Sequence, residues 1–111
     1  MPGKENKLSM GTRLNDLAKS ALECTFKRGK LSRLDSEEGM IGKQLLAIGM
    51  EMQEVAIARE RMPSEHVPGY TERQEEAADI IISILGYLFL EEVDIDKLIE
   101  DKMRFNEARE D

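Results

Sequence analysis

The chain has no tryptophan, one cysteine, one histidine and three prolines among its 111 residues. Each shortage excludes something. The lone Cys24 leaves no internal disulfide; it fits a cytoplasmic protein and reads as a small buried hydrophobe. The lone His66 falls in a Pro-containing loop, so the inward-facing Glu-x-x-His pairs of a di-iron carboxylate bundle are missing. Zinc is disfavoured for want of Cys and His ligands, and His66 reads as a surface loop residue. The longest apolar stretch, Ile80 to Leu90, is interrupted by Ser83 and Gly86. It falls short of the about 20 residues of a membrane span, so no membrane partner is expected. The opening Met1-Pro2-Gly3-Lys4-Glu5-Asn6-Lys7 is charged and has no apolar h-region, so no secretory signal is expected. Basic residues are also short: 16 Lys and Arg against 23 Asp and Glu, a net charge of −7. That balance disfavours a nucleic acid polymer as partner, because such proteins carry a basic patch. A small anion remains admissible if cations accompany it.

What the chain has is helical periodicity. Hydrophobic residues at 41% and charged residues at 35% indicate a soluble globular chain. The length fits one domain over residues 1–111, with residues 1–11 read as a flexible N-terminal segment. From Thr12 to Lys27, the residues Leu14, Leu17, Ala18, Ala21, Leu22 and Thr25 recur at spacings of three and four, and Gly29 ends the segment. From Ser36 to Arg61, the stripe is Ile41, Leu45, Ile48, Met52, Val55 and Ala56. Asp35 and Glu38 stand at capping-box spacing, and Pro63 follows as the stop. From Glu72 to Glu92, Thr71 and Gln74 again have capping-box spacing. This segment is apolar nearly all round from Ile80 to Leu90, which marks a helix covered on most sides. Four short helices in one protomer can hardly surround it, so a second protomer is expected to cover part of it. From Asp94, a plausible N-cap, the last helix runs to Arg109. The expectation is all-α: a four-helix bundle assembled as an intertwined homo-oligomer.

Two acidic pairs stand out. Glu51 and Glu54 are spaced i, i+3 on the second helix, and Glu76 and Asp79 are spaced i, i+3 on the third. Each pair projects from one face. Their neighbours are apolar: Ile48, Met52, Val55 and Ile57 around the first pair, Ala77, Ala78 and the isoleucine run around the second. A solvated face would carry Lys and Arg instead. If the two faces meet, like charges about 5 Å apart repel by about 3 kcal/mol per pair at an effective dielectric of about 20. The acids would then take up protons or recruit a cation. Oxygen-only ligation selects Mg²⁺ or Mn²⁺. Acidic helices also carry such spacings on ordinary solvated faces, so the residues alone leave both readings open. Ser83 and Gly86 continue the acidic stripe, leaving room either for a ligand or for a close helix approach.

Cations follow at the end. Lys102, Asn106 and Arg109 line one stripe at i, i+4, i+7. A stripe of two cations and an amide suits phosphate oxygens; taken alone, it reads more simply as cations complementing a helix C-terminus. Lys27-Arg28-Gly29-Lys30 could steer an anion, but reads more simply as a solvated loop.

In order, Glu51-x-x-Glu54, Glu75-Glu76-Ala77-Ala78-Asp79 with its apolar continuation, and Lys102-x-x-Phe105-Asn106-x-x-Arg109 resemble the MazG-like nucleotide pyrophosphohydrolases, an all-α NTP pyrophosphatase group. The resemblance spans Ile41 to Arg109 and is greatest to the short single-domain subtype. It implies Mg²⁺-dependent attack of water on the α-phosphorus of a nucleoside triphosphate, in nucleotide house-cleaning or pool control, by a homodimer or homotetramer. It implies that Glu51, Glu54, Glu76 and Asp79 hold the metal, with Mn²⁺ as an alternative. Either Glu51 or Glu54 would serve as the catalytic carboxylate, and Lys102, Asn106 and Arg109 would contact the phosphates. The rival expectation is a non-catalytic helical module that binds a nucleotide or a protein.

Overall fold

The computed structural model describes residues 13–110. Thr12 and the flexible segment expected over residues 1–11 lie outside the described residues. Four helices follow in order: α1 (Arg13–Lys27), α2 (Glu37–Ile57), α3 (Glu72–Leu90) and α4 (Ile95–Ala108). Among the described residues there is no strand, only an isolated bridge between Pro63 and Thr71. The all-α expectation therefore holds.

The helix ends follow their capping chemistry. At α3, the Thr71 side chain accepts from the Gln74 backbone N–H, and the Gln74 side chain accepts from the Thr71 N–H. This is the expected capping box. Asp94 caps α4 by accepting from the Lys97 N–H. At α2 the cap is Ser36 and not Asp35: the Ser36 hydroxyl accepts from the Gly39 N–H. Asp35 instead pairs with Lys43 at 2.7 Å. Helix α2 also stops at Ile57, short of the expected Arg61. Ala58 is extended, Arg73 of α3 donates to the Ala58 carbonyl, and Arg59 donates to Glu72 through its backbone N–H and its guanidinium. The head of α3 thus ends α2 before Pro63 can.

Helix α1 closes with Gly29 at φ 76°. The Gly29 N–H donates to the Phe26 carbonyl and the Lys30 N–H to the Thr25 carbonyl. These two bonds define a Schellman motif, which needs a left-handed residue where glycine has no Cβ penalty.

Helix α3 is the centre of the fold, packed against α1 and α2, with α4 touching α1 and α3. One core cluster joins Ala18, Leu85 and Ile95, with Leu14 and Leu88 against it. The other joins Leu22, Leu31 and Leu90, flanked by Phe26, Met40 and Ile41. At the start of α4, Asn15 donates to Asp94 and Asp96 and accepts from the Ile95 N–H at 2.8 Å. It ties α1 to a helix 80 positions away in sequence.

The expected stripes are realised in part. Ala18 and Leu22 are buried, but Leu17, Leu45 and Met52 are exposed. Cys24 is exposed, against the expectation of a buried one, because α1 turns that face outward. The buried residue of α2 is Gln44, not an aliphatic. On α3, Leu85, Gly86 and Leu90 are buried, while Ile81, Ile82, Ile84 and Phe89 remain exposed on the single chain. No helix among the described residues is long and apolar enough to cross a membrane.

Candidate functional site

Helices α2 and α3 bring both acidic pairs to one cavity of about 690 Å³, lined by Glu51, Glu54, Glu76 and Asp79 together with Glu75. The i, i+3 spacing keeps each pair on one helix face, and both faces border the cavity. Two like-charged helix faces thus meet.

The electrostatics register that meeting. Burial raises the Glu76 carboxyl above its ordinary value, and the neighbouring charges of Glu54 and Asp79 push it further up. Glu76 Oε1 is buried and has no hydrogen-bond partner among the described residues. Burial also raises Asp79, followed by the charge of Glu75, while Arg28 acts in the opposite direction. Both shifts favour a proton or a cation in the cavity.

Glu51 is held differently. The Ser83 hydroxyl donates to Glu51 Oε1 at 2.6 Å. The buried Gln44 amide in turn donates to the Ser83 backbone carbonyl at 3.1 Å. This path runs from α2 to α3 and back to α2. A Cβ on Gly86 would stand 3.0 Å from the Gln44 amide nitrogen. Of the two expectations for the small residues, Gly86 realises the close approach, against Gln44 of α2, and Ser83 lines the cavity.

His66 is exposed, as expected of a loop histidine, yet it also lines the cavity. Its Nδ1 lies 2.8 Å from Glu75 Oε2, and the Ser64 hydroxyl donates to the other oxygen of Glu75 at 2.6 Å. The hydrogen bond to Glu75 raises the His66 pKa. The hydrogen bond from Ser64, and then that from His66, lowers Glu75. Lys27, Arg28, Gly29 and Lys30 are all exposed, as expected of a solvated segment, and Arg28 and Lys30 also line the cavity, as does Lys43. Leu46, Met50 and Ile82 give it an apolar wall.

Lys102, Asn106 and Arg109 sit elsewhere. Lys102 and Asn106 are exposed on α4, Arg109 is exposed as its extended C-cap, one residue beyond the helix expected to run to it, and none of them lines the cavity. They do share a stripe: the Lys102 ammonium is 4.7 Å and the Arg109 guanidinium 5.7 Å from the Phe105 ring centroid, and Arg109 donates to Asn106.

The oxygen-only donor set, the orphaned Glu76 oxygen and the raised carboxyls suit a hard divalent cation in chemistry. As they stand, no group of three or more Asp, Glu, His or Cys side chains among the described residues is arranged to hold a metal ion. Compared with known proteins, the chain matches no family model, no curated protein and no solved structure.

Proposed function

We propose that the chain is a Mg²⁺-dependent nucleoside triphosphate pyrophosphohydrolase, converting a (d)NTP and water into the monophosphate and pyrophosphate. The observation that carries this reading is a single cavity lined by the four carboxylates of the acidic pairs, two of them raised by burial, that also has an apolar wall. The order of acidic and cationic motifs along the chain supports it by resemblance to the MazG-like group. Glu51, Glu54, Glu76 and Asp79 would hold the metal, which when bound neutralises phosphate charge and lowers the pKa of bound water. Mn²⁺ is the alternative ion.

The protein's own groups would do the rest. Glu51, oriented by Ser83, or the exposed Glu54 accepts a proton from the attacking water. The water oxygen bonds to the α-phosphorus, and the bond to the α,β-bridging oxygen breaks to release pyrophosphate. The apolar wall of Leu46, Met50 and Ile82 suits a base by contact. Lys102, Asn106 and Arg109 of one protomer would reach phosphates held by another, which makes the homodimer or homotetramer part of the reading. The resemblance to the MazG-like group adds a house-cleaning or pool-controlling role, which we place in the cytoplasm.

The test is pyrophosphate release from a panel of ordinary and modified nucleotides, with and without Mg²⁺. Hydrolysis that needs the metal and stops in Glu54→Gln supports the reading; full activity of that variant sinks it. A non-catalytic nucleotide- or protein-binding module is the second reading. It draws on the absence, among the described residues, of a converged metal-ligand group, and nucleotide binding without turnover would favour it.

A further inference from the structure

Cations and acids line the cavity together, and the cations differ in what they are already bound to. Lys43 is committed to Asp35 at 2.7 Å, and His66 is committed to Glu75. Arg28 and Lys30 have no ion-pair partner among the described residues, although both line a cavity with five carboxylates. The charge of Arg28 is felt at Asp79, so the guanidinium is close to the acidic wall without bonding it.

Their placement is fixed by the backbone. Arg28 and Lys30 flank Gly29 in the Schellman motif, and the Arg28 N–H is held by the Cys24 carbonyl at 2.9 Å. The turn therefore presents two cations from one hydrogen-bonded support. Such pre-organisation lowers the entropy cost of gripping a ligand. Arg offers five N–H donors in a fork that fits phosphate oxygens, and Lys offers a compact point charge. A polyphosphate entering this cavity would be repelled by the carboxylates unless cations met it.

We propose that Arg28 and Lys30 hold the polyphosphate of the substrate in this cavity. The proposal rests on the pyrophosphohydrolase reading and adds the residues that grip the anion within one protomer. It assigns a binding role to the turn after α1, apart from the stripe on α4.

The test is calorimetric titration of the full chain with inorganic tripolyphosphate in Mg²⁺ buffer, beside hydrolysis of a nucleoside triphosphate. Loss of a charge-assisted contact in Arg28→Ala or Lys30→Ala should weaken tripolyphosphate binding by about 10- to 150-fold. Arg28→Lys should recover part of the loss, and the salt dependence of binding should fall with each cation removed. Circular dichroism and melting guard against misfolding, and Arg28→Gln keeps much of the side-chain length if the alanine variant is unstable. Tripolyphosphate binding at wild-type strength by folded Arg28 and Lys30 variants overturns the proposal and leaves the hydrolase reading intact. Weakening only in Lys102→Ala or Arg109→Ala does the same and moves the phosphates to α4. A wild-type chain that neither binds tripolyphosphate nor hydrolyses nucleotides overturns the reading beneath, and the proposal with it.

Discussion

Glu76 and Asp79 are carboxyls whose charged form the fold disfavours. A carboxyl with a raised native pKa binds more protons folded than unfolded, so its contribution weakens stability as pH rises through that native value. Glu76→Gln or Asp79→Asn should therefore raise the metal-free melting temperature at neutral pH. Hydrolysis should fall by at least about 100-fold, the low end of what a positioned proton-transfer or ligand group supplies. Stabilisation by added Mg²⁺ should shrink in the same variants. Thermal melts with and without the ion check the first and third, a pyrophosphate-release assay checks the second, and unchanged ion dependence would remove these residues from the proposed ligand set. Gly86 gives a second prediction. Alanine gains about 1 kcal/mol of helix propensity over glycine, yet its Cβ meets a buried amide that is bonded to Ser83. Overpacking of this kind costs about 1–3 kcal/mol. Gly86→Ala should be destabilising in the wild type and stabilising in a Gln44→Ala background. Equal effects in both backgrounds, by urea denaturation, would show that the amide does not set the limit.

At the scale of elements, the 62–71 loop is clipped to α3 by Ser64, His66 and Glu75. His66 is raised by Glu75, so its stabilising share is full below its ordinary value of 6.5 and fades as pH rises through the higher native one. Glu75 is lowered, so its share is full above 4.5 and fades on acidification below that. The clip should be tightest between these two values. His66→Ala should lower the melting temperature most in that window and least under alkaline conditions, as melts across pH will record. A difference that does not vary with pH would mean the pair is never charged together. Helix starts at Thr71 and Asp94 and the stop at Gly29 were legible in the sequence, because each depends on residues within one turn. The true cap at Ser36 and the early end of α2 were not, because Lys43, Glu72 and Arg73 compete for those groups from elsewhere. The acidic pairs could be read from spacing and apolar flanks. The basic cluster with Arg28 and Lys30 was visible as one that could steer an anion, but not its place on the cavity, since a local pattern reveals that a helix ends but not which wall the turn then faces.

At the scale of the molecule, α3 leaves Ile81 and Ile84 exposed on one chain, whereas Leu88 packs on the core cluster. The two classes of site should respond differently. Ile81→Asp should leave a folded helical chain of smaller assembly. Leu88→Asp should lose the fold, because a charge would be placed in a packed cluster without a partner. Sedimentation of the wild type at micromolar concentration should give a dimer or larger species; a well-folded monomer would refute the assembly. The apolar run from Ile80 to Leu90 pointed to a helix covered on most sides, but on the single chain Ile81, Ile82, Ile84 and Phe89 are exposed, because an all-round apolar pattern does not say which flank packs on the core.

Asn15 joins the beginning of the bundle to its last helix across about 80 intervening positions. Contacts with so large a separation carry a loop-closure cost that must be met before they form. The bonds of Asn15 to Asp94, Asp96 and the Ile95 backbone should therefore be absent from the folding transition state. Asn15→Ala should speed unfolding and leave the folding rate nearly unchanged, with a φ-value close to zero. The half-life of the native chain, rather than its ability to reach that state, would then depend on one amide between α1 and α4.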